Sequence, residues 1–220
     1  MAATLPISVP LIVNLAQTTV EQTVFLCISI LVAVTVSAES QAFVATLLGD
    51  SRPGSRDRHH FNAFLHLDLL GSLCFFIAGF GWAKEVKVDR SRFRHPRFFL
   101  ILSRLAGPLG NFMMANIAAS ISWILGGFGL EDRVFSALVV VNMMTAVYGL
   151  VMIPPLPGVA LFAVILPNRM LDWMSRPVIR YGGGLMIIAF FALLRWQQVD
   201  LTNFALNPFV SQSCIFLRSL

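Results

Sequence analysis

The amino-acid sequence predicts an all-α integral membrane protein built as one bundle of about four spanning helices. Three observations carry that prediction. Of the 220 residues, 57% are hydrophobic and only 12% are charged, and the mean hydropathy is +0.77; soluble domains run nearer a quarter charged. Apolar runs long enough to cross a bilayer recur along the chain. Thirteen of the 16 Lys and Arg gather in three polar stretches between those runs, as membrane loops on one face do.

The first run, residues 22–49, holds one carboxylate, Glu39, in 28 positions; at about 1.5 Å per residue it reaches roughly 42 Å and spans with tilt. Residues 50–60 read DSRPGSRDRHH, a polar loop. Residues 68–82 are apolar but short and punctuated by Gly71, Gly79 and Gly81, which suits a re-entrant or interfacial segment, since a full span needs about 20 residues. Residues 84–97, KEVKVDRSRFRHPR, are the most basic stretch, and residues 98–130 are a second strong span carrying Arg104 and Pro108 near its start. After the short loop 131–133, residues 134–166 form a long apolar segment broken by Pro154, Pro155, Pro157 and Gly158. Residues 168–180 are polar and basic again, and 181–194 make a last, short span. The chain therefore divides into an N-terminal segment, 1–20, a transmembrane domain, 21–196, and a moderately apolar tail, 197–220. Residues 1–16 lack a basic start and contain Pro6 and Pro10, unlike a cleavable signal peptide.

The net charge of +5 fits basic loops held against anionic lipid, and no nucleic-acid partner is expected. If the stretches 50–61, 84–104 and 168–180 share the cytoplasmic face, segment 68–82 must go in and return, and the loop 131–133 faces outward. Cys27, Cys74 and Cys214 form no C-x-x-C pair and read as small core residues.

Five pieces in order carry a resemblance: AESQAFVATLLGD (38–50), FNAFLHLDLLG (61–71), GFGWAKEVKV (79–88), LAGPLGN (105–111) and NMMTAVYGLVMIPPLPG (142–158). Together they resemble the site-2 protease family of intramembrane zinc metallopeptidases, over about two-thirds of the chain. The resemblance implies a bundle of four to five transmembrane helices with a re-entrant or β-hairpin-like segment after the first core helix. It also implies a zinc site. The family's H-E-x-x-H places two imidazoles one helical turn apart on one face, with the Glu between them as general base, and an Asp from a later N-x-x-P-x-x-P-L-D-G motif as third ligand.

Aligned on these motifs, this chain departs where the chemistry lies. Ala38 and Ala42 stand at the histidine positions, Pro157 at the Asp position, and Glu39 alone is retained; Gly149 and Met152 replace the Asn and first Pro. Alanine and proline side chains offer a cation no lone pair. The expectation is a degenerate member without zinc and without a catalytic residue. No cofactor is expected, although bound lipid is compatible with the composition.

Several residues have both a structural and a functional reading. Glu39, about ten residues from the predicted cytoplasmic end, must be protonated or paired at that depth; Ser37, Ser40, Gln41 and Asn111 are its expected partners, and a leftover base or a partner-binding anchor is the functional alternative. His66 and Asp68 match the family's H-x-D turn and read as satisfied polar groups of a loop, the alternative being a metal site shared with His59, His60 or His95. Glu39, His66, Asp68 and Asn111 are thus the candidate binding residues. The basic run 84–104 reads as a membrane flank, or as a seat for anionic lipid or an acidic partner. Met113, Met114, Met143 and Met144 read as adaptable packing or a cofactor pocket. Gly182–Gly184 reads as a close helix approach or a flexible lead into the last span.

The leading functional expectation is a structural or regulatory subunit of a hetero-oligomeric membrane complex, in contact with other integral membrane proteins and lipids, in a bacterial inner membrane. An active zinc protease with unconventional ligands and a decoy that shields substrates of an active relative are the alternatives.

Overall fold

A computed structural model describes residues 19–50, 62–130, 132–199, 206–208, 210, 212 and 213. Helix α1, Val20–Leu47, starts at a reciprocal cap: Gln22 N donates to Thr19 Oγ1 (3.2 Å) and Thr19 N to Gln22 Oε1 (3.0 Å). It ends before Gly49, whose φ of +119° turns the chain away against the Arg92 carbonyl. Helix α2, Leu69–Ala78, is capped by Asp68, whose Oδ1 accepts from Gly71 N at 2.9 Å. Helix α3, Pro96–Gly127, begins on a proline and contains Pro108. Helix α4, Val134–Gly149, is led in by the Asp132 carboxylate, which accepts from Phe135 N and Ser136 N. A 3-10 segment, Pro157–Val164, precedes helices α5, Asn168–Met174, and α6, Pro177–Trp196.

Helices α1, α3 and α4 pack on one another, and α2 packs on α6. Small residues set the approach of α1 to α3. A Cβ on Gly107 would lie 2.7 Å from the Gln41 side-chain nitrogen, and one on Gly110 would lie 2.2 Å from Ser40 Oγ. The main core gathers Phe80, Met143, Met144, Tyr148 and Phe191; Phe80 stacks on Tyr148 with centroids 3.9 Å apart and meets the edge of Phe191. Val210 of the tail is buried in this core, and the Tyr148 hydroxyl donates to Asn207 Oδ1 at 2.7 Å.

Helices α1, α3 and α6 are long and apolar enough to cross a membrane. Helix α4, with 16 residues, covers only about 24 Å. Among the described residues, the expected spans thus comprise three helices of full length and the shorter, mostly buried α4. Helix α6 is longer than the expected span 181–194, because Pro177 supplies a start one turn earlier and Arg195–Trp196 continue the helix. Leu109, Met113 and Ile117 on α3 and Leu185, Met186 and Leu193 on α6 are exposed, faces suited to lipid.

The excursion after α1 is not a β-hairpin. Its body is helix α2, and among the described residues its one β feature is the antiparallel bridge of Leu67 with Ala83, reinforced by Lys84 N donating to the His66 carbonyl at 2.7 Å. The two ends of the segment nevertheless meet. Gly71 and Gly81 let them: a Cβ on either would sit 2.1–2.2 Å from a carbonyl oxygen of the other arm.

Two of the three basic stretches lie on one face of the molecule, tied by Arg90 to Asp172 (2.5 Å) and by Arg180 to Glu85. The end of α1 lies there too, with Asp50 Oδ2 accepting from Asp89 N. Arg133 and Glu21, at 4.0 Å, mark the opposite end. The first stretch, residues 50–61, lies largely outside the described residues.

Candidate functional site

Two neighbouring ridges of α1 face different surroundings because successive residues turn by about 100°. Ala38 and Ala42 are fully buried and pack on Val86, with Ala83 and Val88 beside it. Ser37 and Gln41, on the adjacent ridge, line a cavity of about 400 Å³ together with Trp82, Pro108 and Pro157. The excursion thus returns across α1 and places an aliphatic side chain against the positions where a pair of imidazoles would project.

The candidate binding residues do not form one site. Glu39 Oε1 meets His66 Nε2 at 2.9 Å with both side chains about nine-tenths buried. Among the described residues the contact of this carboxylate runs to the turn Ala63–His66 rather than to the expected Ser37, Ser40, Gln41 or Asn111, because the return of the chain at Leu67 carries His66 back to α1. Asp68 is committed elsewhere, to the cap of α2 and to Trp82 Nε1, which donates to it at 3.0 Å. Asn111 is fully buried in α3, and neither atom of its amide has a partner among the described residues. His59 and His60 lie outside the described residues, as does Cys214.

The cavity holds a group of charges drawn from the basic run 84–104 and from the start of α6. Glu85 accepts from Arg104 Nη2 at 2.5 Å and from Arg180 Nη1, and Arg104 Nη1 donates to Gln41 Oε1 at 3.3 Å. Side-chain exposures are 17% for Arg104, 21% for Arg180 and 25% for Glu85. A signal existed: an arginine inside an apolar span is costly unless it is paired or functional, and Glu85 is one of only two carboxylates in the basic run 84–97. Met143 and Met144 are core residues, and Met113 is exposed. Of the three glycines, Gly183 meets the Pro154 carbonyl, Gly184 meets Trp82, and Gly182 faces open space.

YwhC of Bacillus subtilis (strain 168), a protein named as a candidate zinc metalloprotease, is 30% identical over 175 residues, covering 76% of this chain and 80% of YwhC. The chain belongs to the site-2 protease family. No protein-family model matches the chain, and no solved structure matches it. Within this family, the residues at the three ligand positions do not fit zinc. Ala38, Ala42 and Pro157 have no donor atom, and Val86 packs against the first two. Among the described residues, no group of three or more His, Cys, Asp or Glu is placed to hold a metal ion.

Proposed function

We propose that this site-2-protease-family chain binds transmembrane helices without cutting them, as a structural or regulatory subunit of a complex of integral membrane proteins. The observation that carries the reading is the packing of Val86 on Ala38 and Ala42. Where catalysis would require a metal and a water, the fold invests in aliphatic contact, while the cleft beside it stays open and lined by Ser37, Gln41 and Trp82. The apolar outward faces of α3 and α6 supply the surface along which a partner helix would lie.

The setting that fits best is a bacterial inner membrane with the basic stretches cytoplasmic. The bacterial relative and the joining of stretches 84–104 and 168–180 on one face support it. Purification in mild detergent tests the reading: a fixed, stoichiometric membrane partner is expected, and a chain that always runs alone would sink it.

A second reading, a zinc protease with unconventional ligands, draws support from the name of YwhC and from the retained Glu39. It requires stoichiometric zinc in the pure protein, and loss of proteolysis when a chelator removes it.

A further inference from the structure

We infer that the cavity between the returning segment and helices α3 and α6 is a binding site for a phosphate group, gripped by Arg104 and Arg180, with Glu85 as their resting counterion. Two guanidinium groups converge there on one carboxylate, and all three side chains are at least three-quarters buried. One positive charge is left over in a place where solvent screens poorly, and an uncompensated buried charge is expensive.

The wider lining does not cancel the excess. Lys84, Lys87 and Arg90 also face the cavity, while its other carboxylates are Asp89 and Asp172. Asp172 is paired with Arg90, and Asp89 is engaged by Ser91 and Arg92. Among the described residues, five cations and three carboxylates therefore line the cavity.

Donor geometry points to an oxyanion with several oxygens. Each guanidinium carries five N–H donors. The bonds to Glu85 and Gln41 engage two of those of Arg104, and the bond to Glu85 engages one of those of Arg180. A phosphate can bridge two such forks at once, and it adds the negative charge that Glu85 alone does not supply. The cavity, about 400 Å³, is larger than a phosphate needs and leaves space for whatever bears it. Its basic rim places it where anionic lipid headgroups gather. A lipid phosphodiester and free inorganic phosphate share this chemistry.

The test uses the purified full chain. Inorganic phosphate is titrated in detergent, and a short-chain phosphatidylglycerol is titrated separately against phosphatidylcholine, with Trp82 in the cavity wall as fluorescent reporter and native mass spectrometry as an independent count. Binding of phosphatidylglycerol but not of inorganic phosphate assigns the site to a headgroup, and binding of inorganic phosphate assigns it to the free ion. R104Q and R180Q are each expected to weaken the bound probe roughly tenfold or more. E85Q, which removes the internal competitor, is expected to tighten it several-fold. That sign separates a binding role from a merely structural one and survives any folding defect of the arginine variants. Failure of both probes to exceed phosphatidylcholine overturns the proposal, as does weaker binding by E85Q or a preference for an acidic peptide over either phosphate.

Discussion

Glu39 and His66, 27 residues apart in the chain, meet through Oε1 and Nε2 at 2.9 Å with both side chains nearly buried. The retained acid of a zinc-protease helix is thus held by an imidazole from the segment that follows, on a different element from the two positions where ligand histidines would stand. The pair ties α1 to the start of the excursion at a depth where neither group would be stable alone.

Removing one partner is therefore expected to cost more than removing both. Glu39→Ala or His66→Ala should each lose about 1–3 kcal/mol, because each removes a buried hydrogen bond between polar side chains. The double variant Glu39→Leu with His66→Leu should lose less than the sum. Reversible unfolding in mixed micelles measures all three, and additive losses would mean that the contact carries no coupling energy.

Restoring the ligand types should not restore a metal site. A chain carrying Ala38→His, Ala42→His and Pro157→Asp is expected to bind no stoichiometric zinc and to lose stability, since Val86 and Ala83 pack against the first two positions. Overpacking of this kind costs about 1–3 kcal/mol. Adding Val86→Ala should recover part of that loss. Metal content after gel filtration and the unfolding midpoint read the two effects, and stoichiometric zinc in the first chain would overturn the packing account.

Neighbouring glycines at the start of α6 should respond oppositely to alanine. Gly183→Ala would drive a Cβ to 2.1 Å from the Pro154 carbonyl oxygen, a backbone atom with little freedom to yield, whereas a Cβ on Gly182 meets nothing within 4 Å. Gly183→Ala should destabilise. Gly182→Ala, exposed in a helix, should be neutral or stabilise by up to about 1 kcal/mol. Thermal midpoints in one detergent compare them directly.

Asp68 holds the excursion at both ends, capping α2 through Gly71 N and accepting from Trp82 Nε1. Asp68→Ala should cost about 0.5–2 kcal/mol for the cap, with the indole bond in addition. Trp82→Phe should keep the cap while losing the indole bond and part of the buried ring packing. Faster proteolysis or amide exchange across residues 69–83 than in the core of α3 would report local loosening, and uniform exchange would argue against a local latch.

Much of the fold was legible because its physics is local. A carboxylate-poor apolar run marks α1, and composition alone marks α3 and α6. The site was legible only in its losses, since Ala38, Ala42 and Pro157 speak for themselves as side chains without donors. The partner of Glu39 was not, because hydrogen bonding across 27 residues depends on the path of the intervening chain. The charged group of Glu85, Arg104 and Arg180 was hidden for the same reason, its members being separated by 19 and 95 positions.

By itself, the sequence determined that this protein belongs in a membrane, roughly where its long apolar helices run, and that alanine and proline stand where its motifs align with the family's ligand positions. Tertiary structure alone decided that Val86 fills the space beside the two alanines, that His66 holds Glu39, and that two arginines close on Glu85 in an open cavity. The physical reason is range. Hydropathy, helix starts and donor chemistry belong to single residues or short windows, whereas pairing of buried charges and close packing exist only after distant segments have been brought together.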